Sequence, residues 1–481
     1  MTSPLLSSAE LVDHLLNRIG EIDASGPMLR SVVSVDPQAR AVAIERDAEQ
    51  RDGRARGPLH GVPVLLKDNI DTVDLPTTAG SMALTTSRPM TDAPLVGRLR
   101  QAGAIVLGKT NLSEWANFRS AHSASGWSAV GGLTANPWAL DRSAGGSSSG
   151  SGAAVAAGLA ALAVGTETDG SIVCPASLNG VVGVKPTVGL IPSAGIVPIS
   201  HSQDTPGPMA RTVREAALLL DVLAEGAGAY AAACSDGLVG HGLGDVRIGV
   251  ARSYFVGHPA TDQVVEAALD LLSAAGAVLV DPADVPVLPA YDAGEDELTV
   301  LLTEFHHGID RYLITRTDGS PRSLGELVEF NRRNADTELH WYGQELFEQA
   351  LLRGGLDDPG YVAARNRGVL AAREDGLDAT LRRHELDLLV APAFGPAWKS
   401  DLVNGDPRDV GTRCTSAPAV AGYPIVTVPG GLVNGLPVGI ALLGGAGSEV
   451  TLLRVAHTLE RSLDLAASGA LEPTFLPPSA G

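Results

Sequence analysis

The sequence contains few aromatic residues, few cysteines and no long apolar run. Aromatic side chains make up 4% of the 481 residues, and the three cysteines are Cys174, Cys234 and Cys414. Their unrelated spacings form neither a disulfide framework nor a metal site, so we expect three buried thiols in a reducing compartment. No apolar run approaches the roughly 20 residues that span a bilayer. These absences exclude a disulfide-stabilised fold and a membrane-spanning protein.

Positive charge is also scarce. The chain has 35 Lys and Arg against 55 Asp and Glu, a formal net charge of −20 at pH 7, and its acidic residues are spread along the chain. Such a surface is a poor partner for nucleic acid or for an anionic membrane. The N-terminal residues lack the basic start and apolar core of a secretory signal. We therefore expect a cytoplasmic protein that binds neither nucleic acid nor membrane.

Small and apolar residues are abundant, since hydrophobic residues make up 44% of the chain and there are 56 glycines. Short apolar runs occur at residues 62–66, 104–107, 181–184, 247–250, 386–391 and 425–428. Helical patterns separate these runs, and such an alternation is typical of a sheet covered by helices on both faces. The pattern therefore predicts an α/β protein.

Charge and periodicity divide the chain into a core and a central insertion. Ser7 and Glu10 have the spacing of a capping box and predict an N-terminal amphipathic helix. The central segment carries many charges, with helical periodicity at Leu298–Tyr312 and Glu345–Leu352. We predict a single domain, with a core at about 5–225 and 386–470 and a helical insertion lobe at about 226–385.

Residues 103–110, GAIVLGKT, match the P-loop pattern of nucleotide-binding proteins letter for letter. A P-loop places its four variable residues in a turn after a strand, whereas here those residues are Ala-Ile-Val-Leu and predict the strand itself. The segment therefore does not indicate a nucleotide site.

Residues 146–150, GSSSG, fit the nucleophile-elbow pattern of α/β-hydrolases, with Ser148 as nucleophile and His457 as a late base. The elbow must follow an apolar strand, and residues 139–144, ALDRSA, are not one. His457 stands in a helical pattern at Leu452–Arg461, where we expect a solvated or capping histidine. We therefore do not assign an elbow.

Residues 145–152, GGSSSGSG, have the composition of a flexible linker. They run directly into Ala153–Val164, for which we predict a small-residue helix packed closely against its neighbours. A Gly/Ser loop before a helix presents backbone N–H groups that can hold an oxyanion. A second small-residue turn, GTETDGS at residues 165–171, ends in Ser171.

Lys67 ends an apolar run, Val64-Leu-Leu-Lys67, that predicts a buried strand. Burial there would penalise the ammonium form and lower the pKa of the side chain, which suits a catalytic base. A structural lysine paired with Asp68 is an equally good interpretation of the local sequence.

Five segments, in this order, resemble the amidase signature family. They are GVPVLLKDNID, GGSSSGSGAAVAAG, GTETDGSIVCPASLNGVVGVKPTVG, DTPGPMARTV, and AGYPIVTVPGGL with GLPVGIALLG near the C-terminus. The match runs from about Leu11 to Glu460. It implies an α/β/α fold with a twisted mixed central sheet, and an amidase that hydrolyses a carboxamide to the acid and ammonia. It implies no cofactor and no metal.

The resemblance also implies roles for single residues. The catalytic group would be Lys67, Ser147 and Ser171, with a cis peptide bond between Gly146 and Ser147. The oxyanion hole would be formed by the backbone N–H groups of Thr168, Asp169, Gly170 and Ser171, and the substrate contacts by Asn117, Phe118 and Ser120.

Two positions depart from the family pattern. Most members carry glycine where this chain has Asp169, so a carboxylate lies on the turn that should hold developing negative charge. We expect the side chain of Asp169 to turn away and accept hydrogen bonds. The arginine that members often carry two residues after the nucleophile is Val173 here, which leaves that side of the pocket uncharged.

The central lobe narrows the expected substrate. Its segments EFHHGIDRYL, ELVEFN, GQELFEQA and LDDPGY are most similar to bacterial peptide amidases, which remove the C-terminal amide of peptides. We expect a short peptide amide or a small-molecule amide as substrate, and a monomer or homodimer. The alternatives are an aliphatic or aryl amide hydrolase and the glutaminase subunit of a tRNA-dependent amidotransferase. The joint presence of Lys67, Ser147 and Ser171 argues against a non-catalytic binding protein.

Overall fold

The computed structural model describes residues 6–235, 242–286, 293–316, 319–407, 414–465 and 469–477. The strands are β1 Val32–Val35, β2 Pro63–Lys67, β3 Ile105–Thr110, β4 Trp127–Ser128, β5 Gly132–Leu133, β6 Leu162–Glu167, β7 Val182–Lys185, β8 Thr205–Ala210, β9 Arg247–Val250, β10 Val278–Val280, β11 Leu388–Pro392, β12 Ile425–Val433 and β13 Leu436–Gly444. Each of the six apolar runs overlaps a strand, so the α/β prediction is confirmed.

The helices, numbered along the chain, are α1 Ser8–Arg18, α2 Ala39–Arg51, α3 Pro94–Gln101, α4 Ser149–Ala156, α5 Val173–Asn179, α6 Val213–Ala224, α7 Ala229–Ala233, α8 Pro259–Ala274, α9 Ala293–Leu313, α10 Leu324–Arg333, α11 Ala335–Glu338, α12 Glu345–Leu351, α13 Pro359–Ala372, α14 Asp378–Arg383, α15 Ser416–Ala421 and α16 Glu449–Leu463. The predicted capping box of Ser7 and Glu10 is present at α1. In the parts of the chain described above, none of these helices has both the length and the apolar character that a membrane crossing needs.

Eleven described strands form one mixed sheet in the order β1-β3-β2-β6-β8-β7-β12-β13-β11-β9-β10. The strand β2 lies between β3 and β6 and is parallel to both. The strand β8 is antiparallel to β6, and β12 and β13 form an antiparallel hairpin near the other end. Because β2 and β6 run side by side in the same direction, their carboxyl ends meet at one edge of the sheet.

Helices cover both faces of the sheet, as predicted. On one face Val64 and Leu66 of β2 join a buried cluster with α3, α6, α8 and α16. On the other face Leu65 joins a buried cluster with α1, α2, α4 and α5. Each of these strand side chains is 0% exposed, and full burial of a Leu or Val contributes about 1.5–3 kcal/mol relative to exposure. Since side chains alternate along a strand, Lys67 points to the face of Leu65, toward α4 and α5.

The predicted helix over Ala153–Val164 is wrong in its bounds. The helix α4 covers Ser149–Ala156, and Leu162–Val164 belongs to β6. Gly158 has φ +66°, a left-handed conformation that ends the helix, and the following residues pair with β2 and β8. Sheet pairing therefore overrides the continuous run of small residues.

The central insertion also begins later than the expected residue 226. Its strands β9 and β10 extend the main sheet, with Ile248 of β9 opposite Leu388 of β11. The helix α8 of this segment packs on the sheet with α3, α6 and α16, and the helices of the separate aromatic cluster begin with α9. The two predicted helices fall in α9 and α12. We call α9 to α13 the helical lobe. Its aromatic cluster includes Phe305 and Phe347, which pack with Trp115 and Phe118 of the core.

Candidate active site

Lys67 lies at the carboxyl end of β2 and is 0% exposed. Its Nζ atom lies 2.7 Å from Ser147 Oγ, 3.1 Å from the Thr166 carbonyl oxygen and 2.9 Å from Thr166 Oγ1. Thr166 lies near the end of β6, directly beside the end of β2. The lysine therefore contacts oxygen atoms that come from the neighbouring strand end and from the Gly/Ser loop.

The pairing of Lys67 with Asp68, one of two interpretations left open by the sequence, is wrong. Asp68 Oδ1 lies 3.1 Å from Nζ of Lys109. Successive side chains of an extended segment point to opposite faces, so Lys67 and Asp68 face different sides of the sheet. Lys109 belongs to the P-loop-like segment, which forms β3, as the sequence predicted.

Burial lowers the pKa of Lys67 from 10.5 to about 7, because the ammonium form loses its hydration inside the protein. The negative charges of Asp204 and Glu167 oppose this shift. Near neutral pH the side chain can therefore both accept and release a proton.

Ser147 stands just before α4, and its side chain is fully buried. The peptide bond between Gly146 and Ser147 is cis. A Cβ atom at Gly146 would lie 2.3 Å from Ser113 Oγ and 2.8 Å from Ser125 Oγ, so only glycine fits. The Ser147 carbonyl accepts a 3.1 Å hydrogen bond from the Ser113 N–H. The backbone is thus held on both sides of the hydroxyl that contacts Lys67.

Ser148, the serine of the elbow pattern, has a structural role. Its Oγ atom donates to the Thr166 carbonyl at 3.0 Å and accepts from the Thr166 N–H at 3.2 Å. The expected solvated or capping role of His457 is wrong, since this side chain on α16 is 5% exposed and lies 3.5 Å from Glu460 Oε2. The helix packs that residue into the core, which a helical pattern alone does not show.

Ser171 lies in the turn between β6 and α5 and is 8% exposed. The Ser148 N–H donates to the Ser171 carbonyl at 3.1 Å, so the Gly/Ser loop and this turn lie side by side. Gly170 has φ +76°, which a residue with a side chain rarely adopts. Lys67 thus contacts Ser147, and the turn that carries Ser171 lies beside the loop that carries Ser147.

Glu167 fixes the start of α5 and was not singled out by the sequence. Its Oε2 atom accepts the N–H groups of Ile172 at 2.7 Å and Val173 at 3.0 Å. Burial raises the pKa of Glu167, and the charge of Lys185 opposes that shift. The sequence signal for this role was a glutamate in GTETDGS just before a predicted turn, since carboxylates often accept the N–H groups of a helix N-terminus.

Asp169 turns away from the turn backbone, as expected. Its Oδ2 atom accepts a 2.8 Å hydrogen bond from Ser416 Oγ at the start of α15. Burial raises the pKa of this carboxyl, and the hydroxyl groups of Thr415 and Ser416 oppose the shift. Val173 is fully buried, so the departure from arginine leaves an apolar side chain packed in the core.

The three proposed substrate contacts lie in one short segment of the core, and two of them contact the helical lobe. Asn117 has φ +68° and donates from Nδ2 to Ser125 Oγ at 3.2 Å. The Phe118 ring lies 5.1 Å from that of Phe305. Ser120 is 1% exposed and donates to Glu345 Oε1 at 2.7 Å. Phe118 and Ser120 therefore make contacts with the lobe.

The three cysteines are buried and unbridged, as predicted. Burial raises the pKa of Cys174, and it raises that of Cys234 to about 12. Among the described residues, no three His, Cys, Asp or Glu side chains are placed to hold a metal ion.

Comparison with known proteins identifies relatives along almost the whole chain. A family model described as Amidase matches residues 10–453. A probable amidase of Arabidopsis thaliana is 35% identical over 475 residues, covering 95% of this chain and 87% of the relative. A glutamyl-tRNA(Gln) amidotransferase subunit of Roseiflexus castenholzii is 37% identical over 485 residues, covering 95% of this chain and 93% of the relative.

Solved structures share the fold as well. The native peptide amidase from Stenotrophomonas maltophilia has 48% sequence identity and a TM-score of 0.88, covering 95% of this chain and 93% of its own. The peptide amidase PAM in complex with the competitive inhibitor chymostatin has 48% identity and a TM-score of 0.89, with coverages of 95% and 94%.

Proposed function

This chain belongs to the amidase signature family and is a hydrolase acting on amides, and we propose that Lys67, Ser147 and Ser171 carry out the reaction. The observation that supports this assignment most directly is the 2.7 Å contact between Ser147 Oγ and Nζ of a fully buried Lys67. A lysine whose pKa lies near neutrality can act as a base, and a hydroxyl in contact with it can relay a proton.

In the proposed first half-reaction, Ser171 Oγ attacks the amide carbonyl carbon. Its proton passes to Ser147 Oγ while the Ser147 proton passes to neutral Lys67. The protonated lysine then returns a proton by the same route to the leaving nitrogen, and the carbon–nitrogen bond breaks. Ammonia departs and the acyl group remains on Ser171. In the second half-reaction a water molecule replaces Ser171 as nucleophile and releases the acid, so Lys67 ends neutral as it began.

The oxyanion that forms in each half-reaction needs donors near Ser171. Glu167 occupies the N–H groups of Ile172 and Val173, which leaves those of Thr168, Asp169, Gly170 and Ser171 as the proposed donors. Each such donor contributes about 3–4 kcal/mol in hydrolases where one has been removed. The hydrogen bond from Ser416 holds the Asp169 carboxylate away from this position.

The Ser171→Ala variant tests the nucleophile. We expect kcat to fall at least about 10⁴-fold while the melting temperature stays close to that of the wild type, because one small hydroxyl is removed. A matched control is Ser151→Ala, another buried serine, whose hydroxyl contacts Thr110 Oγ1 at 2.7 Å. The control should retain turnover. Substantial turnover in Ser171→Ala, together with unchanged labelling by a fluorophosphonate, would contradict the assignment.

For the substrate we propose the C-terminal amide of short peptides. The support is the likeness to the peptide amidase of Stenotrophomonas maltophilia, together with a helical lobe packed against the residues 115–120 segment. A lobe that covers the carboxyl ends of β2 and β6 would admit a peptide from one side only. Beyond the scissile bond it would leave room for an NH2 leaving group but not for a continuing chain.

A substrate panel tests this proposal. The purified chain alone is incubated with a dipeptide amide, the matching free acid, a longer unamidated peptide, free glutamine and a short aliphatic amide. We expect ammonia mainly from the dipeptide amide. Cleavage inside the longer peptide, or a preference for the aliphatic amide, would refute the peptide amide substrate. A preference for glutamine would favour the function named for the amidotransferase relatives.

A further inference from the structure

Asp204 stands beside the proposed oxyanion turn because of sheet register. Glu167 of β6 is opposite Thr205 of β8, so the residues just beyond them, Thr168 and Asp204, are neighbours. Thr168 Oγ1 donates to Asp204 Oδ1 at 2.6 Å. The carboxylate is therefore attached to the turn that carries Ser171.

The other carboxylate oxygen holds a loop, residues 199–204. Asp204 Oδ2 accepts the N–H groups of Ile199 at 2.8 Å and Ser200 at 2.9 Å. The Asp204 N–H closes the loop by donating to the Ser200 carbonyl at 2.8 Å. One carboxylate thus joins this loop to the proposed oxyanion turn.

The helical lobe holds the same loop through Glu304 of α9, which is 1% exposed. Glu304 Oε2 accepts from Ser200 Oγ at 2.6 Å and from the N–H and Oγ of Ser202, each at 3.0 Å. Its Oε1 atom accepts from the hydroxyl of Tyr361 in α13 at 2.8 Å. The contacts form a continuous path from the lobe through the loop to Thr168.

We propose that Asp204 is a positioning residue, which holds Thr168 in the proposed oxyanion turn and supplies a negative charge that acts on Lys67, and that Glu304 fastens its loop to the helical lobe. The inference rests on the proposed function. According to this inference, the helical lobe helps to hold the proposed oxyanion turn in place, in addition to covering the substrate.

The charged groups around this path define the expected pH behaviour. Asp204 lines one small cavity together with Thr166, whose oxygen atoms contact Lys67. Burial lowers the pKa of Lys67, the charges of Asp204 and Glu167 oppose that shift, and Lys185 lies near Glu167. Burial raises the pKa of Asp204 to about 6, and the charge of Glu304 acts on it from the lobe in the same direction. His201 Nδ1 lies 3.2 Å from Glu304 Oε2, and Arg365 Nε lies 3.9 Å from Glu304 Oε1. Removing the charge of Asp204 must therefore lower the pKa of Lys67, which moves the acid limb of the pH–rate profile to lower pH.

The experiment compares two variants that separate charge from positioning. Asp204→Asn removes the charge and weakens the hydrogen bonds, so we expect kcat to fall about tenfold with KM little changed, and the acid limb to move down by about one pH unit. Thr168→Val removes the hydrogen bond and keeps the charge, so kcat should fall by a similar factor without movement of the limb. Thr168→Ser should restore the wild-type rate.

Glu304→Gln tests the attachment to the lobe. We expect kcat to fall several-fold without movement of the acid limb. Asp310→Asn is the matched control, because this residue of α9 accepts the Leu324 N–H at 2.7 Å within the lobe. The control should leave kcat unchanged. Melting curves and the rate of fluorophosphonate labelling are measured for every variant, so a folding defect is seen directly.

Measuring turnover of Lys67→Met in the same experiment distinguishes a failure of this inference from a failure of the proposed function. Wild-type turnover in Lys67→Met would overturn the proposed function itself. If Lys67→Met is inactive while Asp204→Asn has the wild-type kcat and acid limb, the positioning role of Asp204 is overturned. If Glu304→Gln behaves like Asp310→Asn, the role of the lobe is overturned.

Discussion

The carboxyl ends of β2 and β3 carry two fully buried lysines with different surroundings. Lys109 Nζ lies 3.1 Å from Asp68 Oδ1 and also donates to Thr77 Oγ1 at 3.1 Å. Lys67 Nζ contacts hydroxyl and carbonyl oxygens of Ser147 and Thr166, with no ion pair to it in the parts of the chain that the structure describes. Lys109 is in register with Leu66 and Lys67 with Thr110, so the two lysines point to opposite faces of the sheet.

The difference shows how one residue type acquires two functions. Burial lowers the pKa of both lysines, and at Lys109 the charge of Asp68 opposes the shift. A carboxylate in contact favours the ammonium form, which makes Lys109 a structural cation. Hydroxyl and carbonyl oxygens stabilise a buried charge less, so Lys67 is available as a base near neutral pH.

The largest expected effect comes from replacing Lys67, which forms no ion pair among the described residues. Lys67→Met should lower kcat at least about 10⁴-fold, because the proposed base is lost, while the protein remains folded. Turnover and a thermal melting curve are the measurements. A variant that unfolds, or one that keeps most of its turnover, would remove the distinction between the two lysines.

The same change at the paired lysine should act on stability. Lys109→Met leaves Asp68 buried without its cation, so we expect the free energy of unfolding to fall by about 3–5 kcal/mol. The folded fraction should keep kcat within about tenfold of the wild type, since Lys109 faces away from Ser147. Denaturant unfolding measures the loss, and the double variant Lys109→Met/Asp68→Leu should recover part of it. Unchanged stability in Lys109→Met would show that the ion pair contributes little.

The smallest effect is a pH dependence that sharpens the comparison. With a pKa of about 7, Lys67 is neutral above that pH and protonated below it. Activity should therefore rise through pH 7 and level off on the alkaline side, falling about tenfold for each unit below the limb. The measurement is kcat/KM between pH 5 and 9 with Ser151→Ala as control. A profile that is flat down to about pH 5 is incompatible with a lysine base of this pKa.

Much of the fold could be predicted from local patterns. Runs such as Ile425–Val428 were recognisable as strands because apolar residues bounded by turn residues have few other stable arrangements in water. Errors arose where a pattern was compatible with two structures. The small-residue run after Ser149 suits both helix and strand, and β10, which was not predicted as a strand, joins the sheet only through its pairing with β9.

The residues of the candidate site were predicted through a family resemblance. The residues that hold them in place were not predicted. Thr166 and Asp204 act on residues that the fold brings close, so their local sequence carries no distinct signal. Glu167 acts on Ile172 and Val173 nearby in the chain, and its acid in GTETDGS was a signal that was not used. The orientation of Asp169 could be predicted in part. Its carboxylate lies on the turn proposed to bind an oxyanion, so the side chain has to point away from that position. The identity of its partner, Ser416, depends on a segment 247 residues further along the chain.

The sequence by itself determined the α/β class, the strand that ends in Lys67, and the two small-residue turns that carry Ser147 and Ser171, because these depend on residue type and short-range periodicity. Only the tertiary structure decided which lysine meets a carboxylate. A register shift between β2 and β3 turns Lys109 toward Asp68, and the parallel neighbour β6 brings Thr166 to Lys67. Strand register and pairing are properties of several segments at once, so a single segment cannot specify them.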